Sequence, residues 1–174
     1  CIRAVKELYE KQSDRALLIS STGTGKTYAS AFTLRELKPK KALFLVHREQ
    51  IAKQSMRSYQ NVFGSSRTYA LLSGNSKELE EIKAADFVFS TMQMMAKPEI
   101  CQQFAPREYD IIVIDEVHHV GAPSYQKIME YFKPRFWLGM TASPDTNQYD
   151  IYAIFHHKIA YEIRLQQALE EDLL

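Results

Sequence analysis

Ser20 to Thr27 reads SSTGTGKT and stands between a short apolar run, Arg15 to Ser20 (RALLIS), and a helix-prone stretch from Thr27 to Leu37. That order is strand, tight turn, helix. Gly23 and Gly25 allow the tight or left-handed backbone that turns successive amide groups inward on an anion. The start of the next helix adds its positive end to the same cradle. Lys26 then reaches the β and γ phosphates of a nucleotide, and the Thr27 hydroxyl becomes a ligand for Mg²⁺. Thr22, Gly23, Thr24, Gly25, Lys26 and Thr27 are therefore the candidate nucleotide-binding residues. The plainer reading, a flexible Gly/Thr turn followed by a surface lysine, leaves the ordered strand, turn, GKT and helix unexplained.

Outward from this loop the same rhythm returns. Ala42 to Val46 (ALFLV) precedes a helical stretch from Gln50 to Tyr59, and further apolar runs occupy Thr68 to Leu72, Phe87 to Ser90, Ile111 to Ile114 and Phe136 to Met140. These runs are short, mostly β-branched or aromatic, and apolar without clean alternation, as expected of parallel strands covered on both faces. With helices between several of them, the economical solution is an α/β domain of three layers around a mostly parallel sheet. A dinucleotide-binding fold would satisfy the same rhythm, so the loops decide. Pro39 ends the first helix, and Gly64, Gly74, Pro106 and Pro123 mark later turns between elements.

Composition narrows the classes further. The 174 residues are 45% hydrophobic and 25% charged, which fits one globular domain and excludes collagen-like, disulfide-stapled and fully disordered chains. Lys plus Arg number 22 against 21 Asp plus Glu, so a polyanionic partner has to be met by a local patch. Cys1 and Cys101 are the two cysteines, too few for a secreted framework and suited to a reducing, cytoplasmic setting. No apolar run reaches the roughly 18 residues of a membrane span, and no secretory h-region opens the chain. The start at Cys1 suggests an excised piece. Residues 1–165 read as one domain, and Gln166 to Leu174 (QQALEEDLL) as the start of a connection to something further on.

Asp110 to His119 reads DIIVIDEVHH, a buried-strand run that delivers two carboxylates at its end. Beside a phosphate loop, Asp115 holds Mg²⁺ and Glu116 accepts the proton of the water that attacks the γ-phosphate. Adjacent residues of an extended strand point to opposite faces, so joint use requires the strand to end at Asp115. The plainer alternative is a solvated acidic turn. His118 and His119 lack further ligands at zinc spacing; His118 instead links the acidic box to a neighbouring loop. Gly139 to Pro144 (GMTASP) places the compact hydroxyls of Thr141 and Ser143 at another strand end.

Taken in order, these elements resemble the first motor domain of superfamily 2 helicases and translocases, in the DEAD/DEAH-like branch that includes type III restriction-enzyme motors. The resemblance covers nearly the whole chain. Where a generic phosphate loop carries Gly, this chain has Ser20, but Ser20, Thr22, Gly23, Gly25, Lys26 and Thr27 fit the helicase form of motif I. Asp115 to His118 (DEVH) resembles motif II and Thr141 to Ser143 (TAS) motif III. His47 and Arg48 within LVHREQIAKQS resemble motif Ia, and Ser90, Thr91 and Gln93 within FSTMQ motif Ib. The resemblance implies a RecA-like P-loop NTPase domain binding ATP and Mg²⁺. Lys26, Asp115 and Glu116 would be catalytic, Thr27 and Asp115 the metal partners, and His118, Thr141 and Ser143 the coupling residues. Arg48, Thr91 and Gln93 would meet the nucleic-acid backbone, without base readout. Arg48 also reads as an uncommitted surface arginine, and Thr91 as a helix N-cap.

His118 in place of a second Asp leans away from the RNA-remodelling subgroup and ranks DNA ahead of RNA without establishing it. The resemblance further implies a second RecA-like domain that supplies arginines to the γ-phosphate, so the isolated domain should turn ATP over poorly. No membrane partner is implied. Two other classes remain open: a phosphotransferase using the same loop, and a noncatalytic nucleic-acid-binding or scaffold domain that keeps the nucleotide fold.

Overall fold

Strands apolar on both sides can be satisfied only by a sheet that is covered twice. The computed structural model, which describes residues 2–11, 14–20, 23–73, 78–115, 123–141 and 159–163, has that architecture. In chain order the elements are α1 (Ile2–Glu10), β1 (Arg15–Ser20), α2 (Gly23–Leu37), β2 (Ala42–Val46), α3 (Glu49–Phe63), a short 3₁₀ turn at Gly64–Ser66, and β3 (Tyr69–Leu72). They continue with α4 (Leu79–Ala84), β4 (Phe87–Thr91), α5 (Met92–Met95), α6 (Pro98–Cys101), β5 (Ile111–Ile114), α7 (Pro123–Tyr131), β6 (Phe136–Thr141) and β7 (Ile159–Ile163). The seven strands lie in the order β3-β4-β2-β5-β6-β1-β7, and every adjacent pair is parallel.

Side chains of β1 to β6 alternate between two apolar layers, and this is why these strands show no polar alternation. Leu17, Leu43, Leu45, Val88, Ile112, Ile114 and Trp137 pack with Ile82, Met92, Met95, Cys101, Tyr125 and Ile128 of α4 to α7. Their neighbours Ala16, Leu18, Phe44, Val46, Phe87, Phe89, Val113, Leu138 and Met140 pack with Val5, Ala29, Leu34, Ala52 and Tyr59 of α1 to α3. Withdrawing one such large side chain from water contributes about 1.5–3 kcal/mol. The result is the expected three-layer α/β sandwich.

Several boundaries differ from the sequence expectation, each for a local reason. α2 begins at Gly23 rather than Thr27, so the GTGK segment is the first turn of a helix. α3 runs on from the expected Tyr59 to Phe63 and stops at Gly64, whose φ of 58° suits glycine and whose N–H bonds to the Gln60 carbonyl. β4 and β6 extend to Thr91 and Thr141 because parallel partners, Val46 and Ile19, stand opposite them. α1 and β7 were not foreseen. Val5 of α1 is buried, and β7 adds a parallel edge beside β1. Gly74 and the expected connection 166–174 lie outside the described residues. Among those described, no helix is long and apolar enough to cross a membrane.

Candidate nucleotide and nucleic-acid site

Parallel strands all release the chain at the same edge of the sheet, so the residues that follow them gather there. β1 leads into Gly23, Thr24, Gly25, Lys26 and Thr27 on the first turns of α2, β5 into Asp115, and β6 ends on Thr141. β2 leads into His47 and Arg48, and β4 into Thr91 and Gln93. Two candidate sets therefore lie along one rim, and strand order decides which meet.

Within the first set, Lys26 and Asp115 meet directly. Lys26 Nζ lies 2.9 Å from Asp115 Oδ1, with the two side chains only 3% and 4% exposed. A lysine reaching this depth is held by opposite charge. β5 ends at Ile114, so Asp115 is the first residue beyond the strand. Its N–H donates to the Leu45 carbonyl at 2.9 Å, extending the β2 ladder by one bond. The Tyr125 hydroxyl donates to its carbonyl at 3.4 Å. Thr27 and Thr141 are buried nearby in the fold, Thr141 opposite Ile19 of β1. Thr22, Glu116, His118 and Ser143 lie outside the described residues.

The donor chemistry fits the expected group. A lysine ammonium suits phosphate oxygens, while the Thr27 hydroxyl and Asp115 carboxylate are hard oxygen donors. Among the described residues no three His, Cys, Asp or Glu side chains cluster around a common point. Mg²⁺ keeps waters and substrate phosphates in its shell, so it needs few oxygen donors from a protein.

Farther along the rim, Arg48 is exposed and precedes α3 in extended backbone. Thr91 caps α5: its Oγ1 accepts the Met94 N–H at 3.2 Å. Gln93 is exposed, with Nε2 3.3 Å from His47 Nδ1, which ties the ends of β2 and β4 together. Two residues near the nucleotide side escaped the sequence reading. Ser30 and Tyr59 are buried and hydrogen-bonded to each other at 2.8 Å. Burial pushes the Tyr59 hydroxyl well above its usual range, assisted by the Asp115 charge. An aromatic at helical spacing reads in a sequence as core, and nothing in its neighbours announces the hydroxyl.

The doubly covered parallel sheet is that of a RecA-like P-loop NTPase, and the similarities that follow make the chain a superfamily 2 ATP-binding domain related to restriction-enzyme motors and DEAD/DEAH-like helicases. Residues 1–146 match the family described as type III restriction enzyme, res subunit, and the chain belongs to that family. It is 29% identical over 189 aligned residues to the endonuclease subunit of the type I restriction enzyme EcoAI of Escherichia coli, covering 99% of this chain and 22% of that protein. The chain thus spans about a fifth of that relative's length. The helicase domain of Pyrococcus furiosus Hef shares the fold, with a TM-score of 0.72 at 23% identity over 92% of this chain and 37% of that one.

Proposed function

We propose that this chain is the first motor domain of an ATP-dependent nucleic-acid helicase or translocase, binding Mg-ATP at Lys26, Thr27 and Asp115 and the nucleic-acid backbone along the neighbouring rim. The observation that carries the reading is the buried Lys26–Asp115 pair at the carboxyl edge of the sheet, in a chain of this family. Lys26 is positioned to bind and orient phosphate oxygens, and the first turn of α2 offers its amides to the same anion. Asp115 and the Thr27 hydroxyl would hold Mg²⁺, which when bound neutralises charge on the transferred phosphoryl group. Glu116 takes the proton of the attacking water, and His118, Thr141 and Ser143 transmit nucleotide state to a second RecA-like domain. Arg48, Thr91 and Gln93 grip phosphates, DNA ahead of RNA, in a cytoplasmic setting.

The test is ATP turnover by the full-length protein, with and without single-stranded and duplex DNA or RNA, beside Glu116→Gln. Stimulation by one polymer that disappears in the variant supports the motor reading and names the polymer. Intact ATP binding with no stimulation by any polymer defeats it in favour of a scaffold domain.

A further inference from the structure

Ser30 lies one helical turn beyond Thr27 on α2 and is wholly buried. Its Oγ is 2.6 Å from the Thr27 carbonyl oxygen and 2.8 Å from the Tyr59 hydroxyl of α3. A hydroxyl carries one hydrogen. The Ser30 hydrogen is committed to the carbonyl, which can only accept, so Tyr59 must donate to Ser30. The chain of bonds runs one way, from Tyr59 through Ser30 to Thr27, and aligned hydroxyls strengthen one another. Deep burial keeps the phenol protonated at physiological pH, so the donor is always present.

The ring that carries this hydroxyl is fixed. Its centroid lies 5.5 Å from Phe44, 5.2 Å from Phe89, 5.7 Å from Phe87 and 5.9 Å from Phe63. Phe44 is on β2, and the next residue of β2 is Leu45, whose carbonyl accepts the Asp115 N–H. One strand therefore serves as the common reference for two residues on separate elements. Asp115 is tied to it directly, and Thr27 through Ser30 and the ring of Tyr59. Groups that must share one ligand need such a reference, since a small misplacement costs affinity and rate.

We propose that the Tyr59–Ser30 hydroxyl pair is a positioning element that sets Thr27 against Asp115 and thereby tunes the affinity of the nucleotide site for Mg²⁺. This rests on the Mg-ATP reading above. Neither residue touches the nucleotide; both act through Thr27.

The experiment uses the full-length protein and its Tyr59→Phe, Ser30→Ala and double variants. Binding of a fluorescent ATP analogue is followed as Mg²⁺ is raised, with melting temperature recorded alongside. Each single variant should raise the Mg²⁺ half-saturation about tenfold, the lower end of what outer partners of a metal site cost. The double variant should be no worse than the singles, because one chain of bonds is being cut. Affinity for the analogue at saturating Mg²⁺ should be unchanged. A lowered melting temperature with an unmoved Mg²⁺ midpoint would mean that the pair only supports packing, and the proposal falls. Tyr59→Phe keeps the ring, so it decides the matter alone should Ser30→Ala not fold. Lys26→Ala separates the two readings: if it binds the analogue as well as wild type, the nucleotide site is misassigned and both fail.

Discussion

Lys26 Nζ and Asp115 Oδ1 stand 2.9 Å apart, with both side chains almost fully withdrawn from solvent. Desolvating the two ions costs several kcal/mol each, and their close approach helps to offset it. Cutting one partner leaves the other buried without this counter-ion, whereas removing both leaves an apolar contact. We expect Lys26→Met and Asp115→Leu each to lower stability by about 3–5 kcal/mol, and the double variant to recover most of the loss. None of the three should bind Mg-ATP. Urea unfolding reads the first effect and nucleotide binding the second. Additive losses in the double variant would show that the pair is not a coupled unit.

Thr91 is the helix cap that the sequence offered as one of its two readings, and that role leaves room for the proposed nucleic-acid contact. As cap of α5 its Oγ1 accepts the Met94 N–H, and accepting leaves the hydroxyl hydrogen for another partner, such as a phosphate oxygen. Thr91→Ala should cost about 1 kcal/mol of stability and weaken nucleic-acid binding uniformly across sequences. Thr91→Ser should restore both. Binding by the Ala variant at wild-type strength, measured below its melting range, would reduce Thr91 to a cap.

The strand centres were legible because burial on both faces leaves an uninterrupted apolar run, as in Ile111–Ile114, and their lengths were less so. Nothing within Phe87–Ser90 says that Thr91 will still pair; its partner Val46 does. The meeting of Lys26 with Asp115 was legible for a different reason: both are chemically particular residues, each placed shortly after an apolar run. Tyr59 and Ser30 were illegible because their chemistry exists only once α2 and α3 lie side by side. β7 was missed because Glu162 interrupts its run, IAYEI, which therefore does not read as the uninterrupted apolar stretch of the inner strands.

Glu108 provides a pH prediction. Its carboxylate takes the Lys41 ammonium at 2.9 Å and the Ala105 N–H at 3.3 Å. Burial alone would raise its pKa, but the Lys41 and Ala105 bonds, with the charges of Lys41 and Lys83, together hold it below the ordinary 4.5. A carboxylate depressed in the native state stabilises the fold above its unfolded value, and that contribution is lost as pH falls through the native one. Glu108→Gln should therefore lower stability by about 1 kcal/mol at pH 7. The gap from wild type should close as acid takes the solution below the ordinary carboxylate range. Urea midpoints across pH test it, and a gap that persists at low pH would point to packing rather than charge.

Lys38 marks where α2 ends, and it does so against its own preference. Its φ is 53°, a left-handed conformation that a residue with a Cβ adopts at a cost of about 1–2 kcal/mol. Its N–H bonds to the Leu34 carbonyl at 2.9 Å, closing the helix by the turn that usually ends on glycine. Pro39 follows and forbids continuation of the helix. Because Lys38 is exposed, replacing it removes strain without removing a packed side chain. Glycine also gives the unfolded chain more freedom, which returns about 0.5–1 kcal/mol of the gain. Lys38→Gly should therefore stabilise by about 0.5 kcal/mol, a rise in melting temperature of about 1–2 °C for a domain of this size. Lys38→Val should lower it, since β-branching makes the left-handed region costlier still. The turn lies at the strand-start edge of the sheet, away from Asp115, so Mg-ATP binding should not change in either variant. A melting temperature that falls in Lys38→Gly would mean that the lysine side chain stabilises this turn by more than the strain it imposes.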